Sequence, residues 1–215
     1  GRPIGLGAAV LLDHERIGQH IREGLRFQVA AIVVVSEVVP APYVAECEAR
    51  GVPVLLVNRG AHVASTSAVS LDGVHLGHQV TDYLLACGHR RIALLRGRPD
   101  IDFTTDVMNT ITDRISRTDS CKLTANLVNV LGYEAGRRAI GELFAVGEPP
   151  DAVFCTYDDT AIGVMDGARF DLGLKVPDQL AVIGNGNRAV SSWASHELTT
   201  VGYPCDEIVD NCMRI

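Results

Sequence analysis

Aromatic residues are scarce: five Phe, five Tyr and one Trp in 215 residues. The core therefore has to come from aliphatic side chains, with Val and Ile as the strand formers. A surplus of positive charge is also missing, since 19 Lys and Arg stand against 26 Asp and Glu for a formal net charge of -7. Holding a polyanion requires clustered cations, so the chain alone is not expected to grip DNA. No apolar run approaches the ~20 residues that cross a bilayer. The longest, Val29 to Val35, has the length of a strand, and Gly1-Arg2-Pro3-Ile4 does not open a secretory signal. Cys47, Cys87, Cys121, Cys155, Cys205 and Cys212 include no C-x-x-C pair. They fit reduced thiols in a cytosol and no structural zinc. G-x-S-x-G, H-E-x-x-H and G-x-x-x-x-G-K are absent too, so no enzyme, catalytic residue, metal or cofactor is expected.

What is present is ordinary globular composition, 47% hydrophobic and 21% charged, with apolar strand-length runs alternating with helical patterns. Ile4 to Leu12 reads as a strand, His14 to Leu25 as a helix, Val29 to Val35 as a strand, Tyr43 to Arg50 as a helix and Val52 to Val57 as a strand. A short strand at Ala68 to Leu71 precedes a helix capped by Asp72, which Gly88-His89 ends before a strand at Ile92 to Leu95. Val107, Ile111 and Ile115 suggest a helix, Leu127 to Leu131 a strand and Tyr133 to Phe144 a helix. The run from Pro149 to Thr200 is the clearest. A strand at Asp151 to Thr156 leads into a helix from about Asp159 to Asp171, which Gly173 and Pro177 terminate, and a second strand follows at Leu180 to Gly184. Roughly seven strands alternating with helices give an α/β protein with doubly wound parallel sheets.

Several motifs then carry a resemblance. Gly88-His89-Arg90-Arg91-Ile92-Ala93, Tyr133-Glu134-Ala135-Gly136, Pro150-Asp151-Ala152-Val153-Phe154-Cys155, Gly173-Leu174-Lys175-Val176-Pro177-Asp178, Val182-Ile183-Gly184 and Leu198-Thr199-Thr200-Val201 resemble, in order and spacing, the effector-binding core of LacI/GalR transcriptional regulators. The resemblance implies two doubly wound lobes of the periplasmic-binding-protein-like type. It places residues 1–89 plus 204–215 in an incomplete N-terminal lobe and residues 90–203 in a C-terminal lobe, with an effector cleft between them. It further implies a small-molecule effector (a sugar or another metabolite), a homodimer, operator DNA reached through an N-terminal domain not found here, a cytoplasmic location and no membrane. Either residues are missing near Gly5 to Ala8 or the first lobe is reduced, and Ile215 is expected to fall short of the family's last helix and third crossing strand. A solute-binding protein of an uptake system is the alternative that shares the fold.

In sugar-responsive relatives, an Arg, an aromatic residue, an Asn and an Asp hold the ligand. Here Val107, Leu131, Tyr157 and Gly186 fall at those places, a poor set for sugar hydroxyls. The effector-binding residues expected instead are Tyr157, Asp158, Asn185, Asn187 and Trp193, with Asp72 from the first lobe. Asp158 and Asp72 can alternatively serve as helix caps, and Trp193 can pack on its own lobe. Gly184-Asn185-Gly186-Asn187-Arg188-Ala189 fits the letters of a dinucleotide loop, but no helical stripe follows it.

Overall fold

In the computed structural model of the chain, residues 17–35, 39–57, 66–98 and 102–214 are described. The strand expected at Ile4 to Leu12 lies outside them. The chain forms two compact units, one comprising the part up to Ser70 with that from Cys205 onward, the other Leu71 to Pro204.

In the first unit, α1 (Ile17–Arg26) buries Ile17, Ile21 and Leu25, one stripe at four-residue spacing. Strands β1 (Ile32–Val35), β2 (Val54–Val57) and β3 (Ser67–Val69) form a parallel sheet in that order, and α2 (Ala41–Glu48) makes the first crossover. Pro40 and Pro42 start α2, where a missing N–H is harmless. The stripe of α1 packs with Val34, Val44, Cys47, Val54 and Leu56. A last helix, α7 (Cys205–Arg214), for which the sequence pattern gave no element, buries none of its residues.

The second unit contains α3 (Gly73–Ala86), β4 (Arg91–Leu95), α4 (Asp102–Ser116), β5 (Lys122–Leu127), α5 (Tyr133–Ala145), β6 (Ala152–Cys155), α6 (Asp158–Asp166), β7 (Ala181–Asn185) and β8 (Thr199–Val201). A π-helical turn, Gly167–Asp171, extends α6. The five strands are parallel, in the order β5-β4-β6-β7-β8. Strand residues alternate between the faces. Ile92, Leu94, Ala152, Phe154 and Ile183 pack against Leu76, Val80 and Leu84 of α3 and Val107, Ile111 and Ile115 of α4. Ala93, Leu95, Val153, Cys155 and Val182 pack against Ala139, Ile140, Ala161 and Val164 of α5 and α6. Both faces are covered, which is why these strands read as unbroken apolar runs.

Two expected boundaries move. The division between the units falls at Ser70/Leu71 and Pro204/Cys205 rather than at 89/90 and 203/204. Helix α3 belongs to the second unit because its apolar stripe completes the core under β4 and β6. The strand expected at Leu127 to Leu131 is instead β5 at Lys122–Leu127. An edge strand tolerates polar residues such as Thr124 and Asn126, and these hide it from a hydrophobicity pattern.

The family-like motifs acquire structural reasons. Asp151, just before β6, accepts from the backbone N–H groups of Arg90 and Arg91 at 3.1–3.2 Å, and His89 Nδ1 lies 3.5 Å from it. The Gly-His-Arg-Arg turn and the Pro-Asp turn thus tie together at the amino edge of the sheet. Helices α5 and α6 touch at glycines. A Cβ at Gly136 would overlap the Thr160 carbonyl oxygen, and one at Gly163 the Tyr133 carbonyl oxygen.

Candidate functional site

Parallel strands bring all five carboxyl ends to one edge. From β4 the chain moves outward to β5 on one side and then returns to β6 on the other, so the winding reverses between β4 and β6. Open α/β sheets leave a ligand crevice at such a reversal, outside the carboxyl ends of the strands.

Arg96-Gly97 and Thr156-Tyr157 flank that reversal. The Tyr157 ring lies so close to Gly97 that a Cβ there would sit 2.5 Å from Cε2 and 3.1 Å from Cδ2, with Leu131 Cδ1 at 3.3 Å. Glycine is what lets the ring approach the turn after β4 this closely. The Gly97 N–H donates to Thr156 Oγ1 at 3.1 Å, which joins the two turns.

The strand alternation continues past the last apolar residues. Arg96 follows Ile92 and Leu94, Thr156 follows Ala152 and Phe154, Asn185 follows Ala181 and Ile183, and Tyr203 follows Val201. These four residues form a polar row on the α3–α4 face of the sheet. Asn185, only 3% exposed, donates from Nδ2 to the Thr156 carbonyl oxygen at 3.3 Å and to the Tyr203 hydroxyl at 2.9 Å. A carbonyl oxygen can only accept, which fixes the amide orientation, and leaves Oδ1 buried without a partner. Arg96 Nη1 donates to Thr105 Oγ1 at 3.4 Å, and its buried Nε has no acceptor. Phe103, in the first turn of α4, meets Tyr203 edge to face, with 5.9 Å between centroids.

Burial, opposed by the Asn185 bond and aided by the nearby Tyr157 and Asp158, pushes the Tyr203 phenol up to about 12. The unfolded phenol titrates near 10. Between pH ~10 and ~12 the unfolded chain releases a proton that the folded chain retains, so the stabilisation is whole below ~10 and is lost as pH rises through ~12. Tyr203→Phe should remove that alkaline loss from the pH dependence of urea unfolding and lower stability at pH 7 by about 1 kcal/mol.

The structure separates the expected site residues. Tyr157 and Asn185 come together at the carboxyl edge. Asp158, expected as a ligand contact or a cap, is a buried strut and not the N-cap. It is 0% exposed and is the first residue of α6, while Tyr157 is the N-cap. Asp158 Oδ2 accepts from the Arg188 N–H at 2.7 Å and Ser191 Oγ at 2.8 Å, and Oδ1 accepts from Thr200 Oγ1 at 2.5 Å. Both oxygens thus accept hydrogen bonds from within the same unit. Asp72 caps α3, accepting from the His75 N–H at 2.8 Å. Asn187 is an exposed turn residue with φ 49 whose N–H donates to Thr200 Oγ1 at 3.2 Å. Trp193, 58% exposed, sits in the loop after the 3-10 turn Ala189–Ser192, and that turn replaces the helix a dinucleotide loop would need. Val107 is core, 1% exposed.

Arg96, Thr156, Phe103 and Tyr203 were missed. The available signal was an arginine at the next same-face position of an apolar strand, which alternation alone marks.

Over residues 81–215 the sequence matches the periplasmic binding protein-like domain family. Among curated relatives, the probable HTH-type transcriptional repressor ExuR of Bacillus subtilis is 28% identical over 160 residues, 74% of this chain and 48% of that protein. The HTH-type transcriptional repressor CytR of Escherichia coli is 27% identical over 167 residues, 76% of this chain and 48% of that protein. The chain thus spans about half the length of the curated relatives it matches. In solved structures, a LacI-family regulatory protein from Chloroflexus aggregans superposes with a TM-score of 0.81 at 24% identity, covering 95% of this chain and 74% of its own. The transcription regulator CcpA of Lactococcus lactis gives 0.80 at 21%, covering 94% and 74%.

Proposed function

Since this chain belongs to the periplasmic binding protein-like domain family, we propose that it is the effector-binding core of a LacI/GalR-type transcriptional repressor. A small molecule binds at the carboxyl edge of the second unit's sheet. The observation that supports this most is the row Arg96, Thr156, Asn185 and Tyr203 beside Tyr157. It lies at the winding reversal and carries two unfilled buried polar atoms. The likeness to repressors rather than uptake proteins among the relatives supports the regulatory reading.

The effector acts through differential affinity. It changes operator binding only as far as it binds one arrangement of the two units better than another. Operator DNA is contacted by a separate DNA-binding part, and the core forms a homodimer, because two DNA-binding parts must meet two half-sites. The protein acts in the cytoplasm, and among the described residues no helix is long and apolar enough to cross a membrane.

Sedimentation of the purified chain tests the assembly: a dimer at micromolar concentration is expected, and a monomer at every concentration would overturn the repressor reading. A thermal-shift panel of sugars, nucleosides and organic acids tests the binding. A true effector at a hundredfold its Kd stabilises by about 2.7 kcal/mol. That stabilisation should be lost in Tyr157→Ala.

A further inference from the structure

The chemistry of the effector follows from what the row of strand ends offers. Arg96 is a part-buried cation, and among the described residues no carboxylate lies within ion-pairing distance of it. Its one hydrogen bond, to Thr105 Oγ1, is long at 3.4 Å. A guanidinium held out of water seeks a planar oxyanion, which it binds through two parallel N–H donors. Asn185 makes the complementary demand. Its nitrogen is committed to Thr156 and Tyr203 while its Oδ1 accepts from nothing, so this end of the row calls for a donor. One buried donor and one buried acceptor, each unfilled, stand on the ends of β4 and β7 with β6 between them. Two strand spacings separate these ends by roughly 10 Å.

The carboxylate that would oppose an anion is absent from the row. Gly186 has no side chain at the place where an Asp is found in sugar-responsive relatives, and both Asp158 oxygens are occupied by Arg188, Ser191 and Thr200. Tyr157, whose ring edge packs at Gly97, follows β6, the strand between the two ends. Two shallow grooves elsewhere on this unit offer nothing comparable. One is lined by Arg137 and Asp171, which already pair with each other, and the other by Asn126 to Val130.

Resting on the effector reading above, we infer that the ligand is a hydroxylated organic acid of the sugar-acid class, its carboxylate on Arg96 and a hydroxyl proton donated to Asn185 Oδ1. Neutral sugars leave the arginine unpaired, and simple carboxylates such as acetate leave the asparagine unfilled.

Isothermal titration of the 215-residue chain with D-gluconate, D-glucuronate and D-glycerate, against D-glucose, glycerol and acetate at equal ionic strength, decides it. At least one of the three acids should bind about tenfold or more tightly than its neutral counterpart and than acetate. Arg96→Met should weaken that acid by about tenfold or more, while its ligand-free melting temperature holds or rises because an unpaired charge leaves the row. Arg96→Lys, which keeps the charge but loses the fork, should fall between. The inference is overturned if a neutral sugar or nucleoside binds as tightly as every acid, if Arg96→Met binds the acid unchanged, or if that variant melts several degrees lower without ligand, which would make Arg96 a structural residue. In the first of these cases the effector reading stands, whereas failure of every compound in the wider panel removes both.

Discussion

Asp158→Ala should lower the unfolding free energy by about 3–5 kcal/mol, the range for breaking a buried charged group out of its hydrogen-bonded setting. The carboxylate is inaccessible to solvent and takes donors from three places distant in sequence: the Arg188 N–H, Ser191 Oγ and Thr200 Oγ1. Its removal leaves three donors without their acceptor, that of Ser191 in a buried side chain. It also frees the segment after β7 from the start of α6, so the Arg188 amide should lose hydrogen-exchange protection beyond what global destabilisation explains. Urea titration gives the first number. Unchanged stability would mean that the three donors find other partners and that Asp158 is not the strut described here. Asp158→Asn keeps one acceptor oxygen and should recover only part of the loss.

The second large effect is at the crossing of α5 and α6. Gly163→Ala puts a Cβ into the Tyr133 carbonyl oxygen, and Gly136→Ala puts one into the Thr160 carbonyl oxygen. Both obstacles are backbone, which cannot turn aside as a side chain would, so the helices must move apart from a core that includes Ile140, Ala161 and Val164. Each substitution should destabilise by about 3 kcal/mol, the upper end for overpacking. Gly141→Ala, in the same helix as Gly136, meets nothing within 4 Å and should stabilise by roughly 0.5–1 kcal/mol through helix propensity. Opposite signs from two glycines in one helix, measured by thermal and urea unfolding, separate close packing from propensity. Equal effects would show that the contact does not govern this crossing.

The likeness to LacI-family regulators, drawn from motifs such as Gly88-His89-Arg90-Arg91 and Leu198-Thr199-Thr200-Val201, agrees with the repressors and regulator structures that the chain matches. The motifs were legible because each is a local necessity. Gly88, with φ 89, ends α3 in a conformation open to glycine. Asp151 binds the turn that follows, and the strands between are apolar on both faces because helices cover both. The α/β class and the parallel winding followed from the same alternation. Helix α3 was assigned to the wrong unit for a corresponding reason. Its stripe of Leu76, Val80 and Leu84 announces burial but cannot name the sheet it will be buried against.

The candidate site was less legible. Tyr157 and Asn185 were expected because they stand at the ends of apolar strands. Asp158 was read as cap or ligand contact because a residue at a helix start suggests either, and nothing nearby in sequence reveals Thr200, forty-two positions away. Arg96 and Tyr203 were missed because each reads locally as an ordinary polar residue at the end of a strand.

The sequence by itself therefore determined what depends on neighbours along the chain: strands and helices, their order, the glycine-terminated turns and, through these, the family. Only the tertiary structure decided which polar groups are satisfied. Arg96, Thr156, Asn185 and Tyr203 become one row only when β4, β6, β7 and β8 lie side by side. Within that row, burial leaves Arg96 Nε and Asn185 Oδ1 without a hydrogen-bond partner.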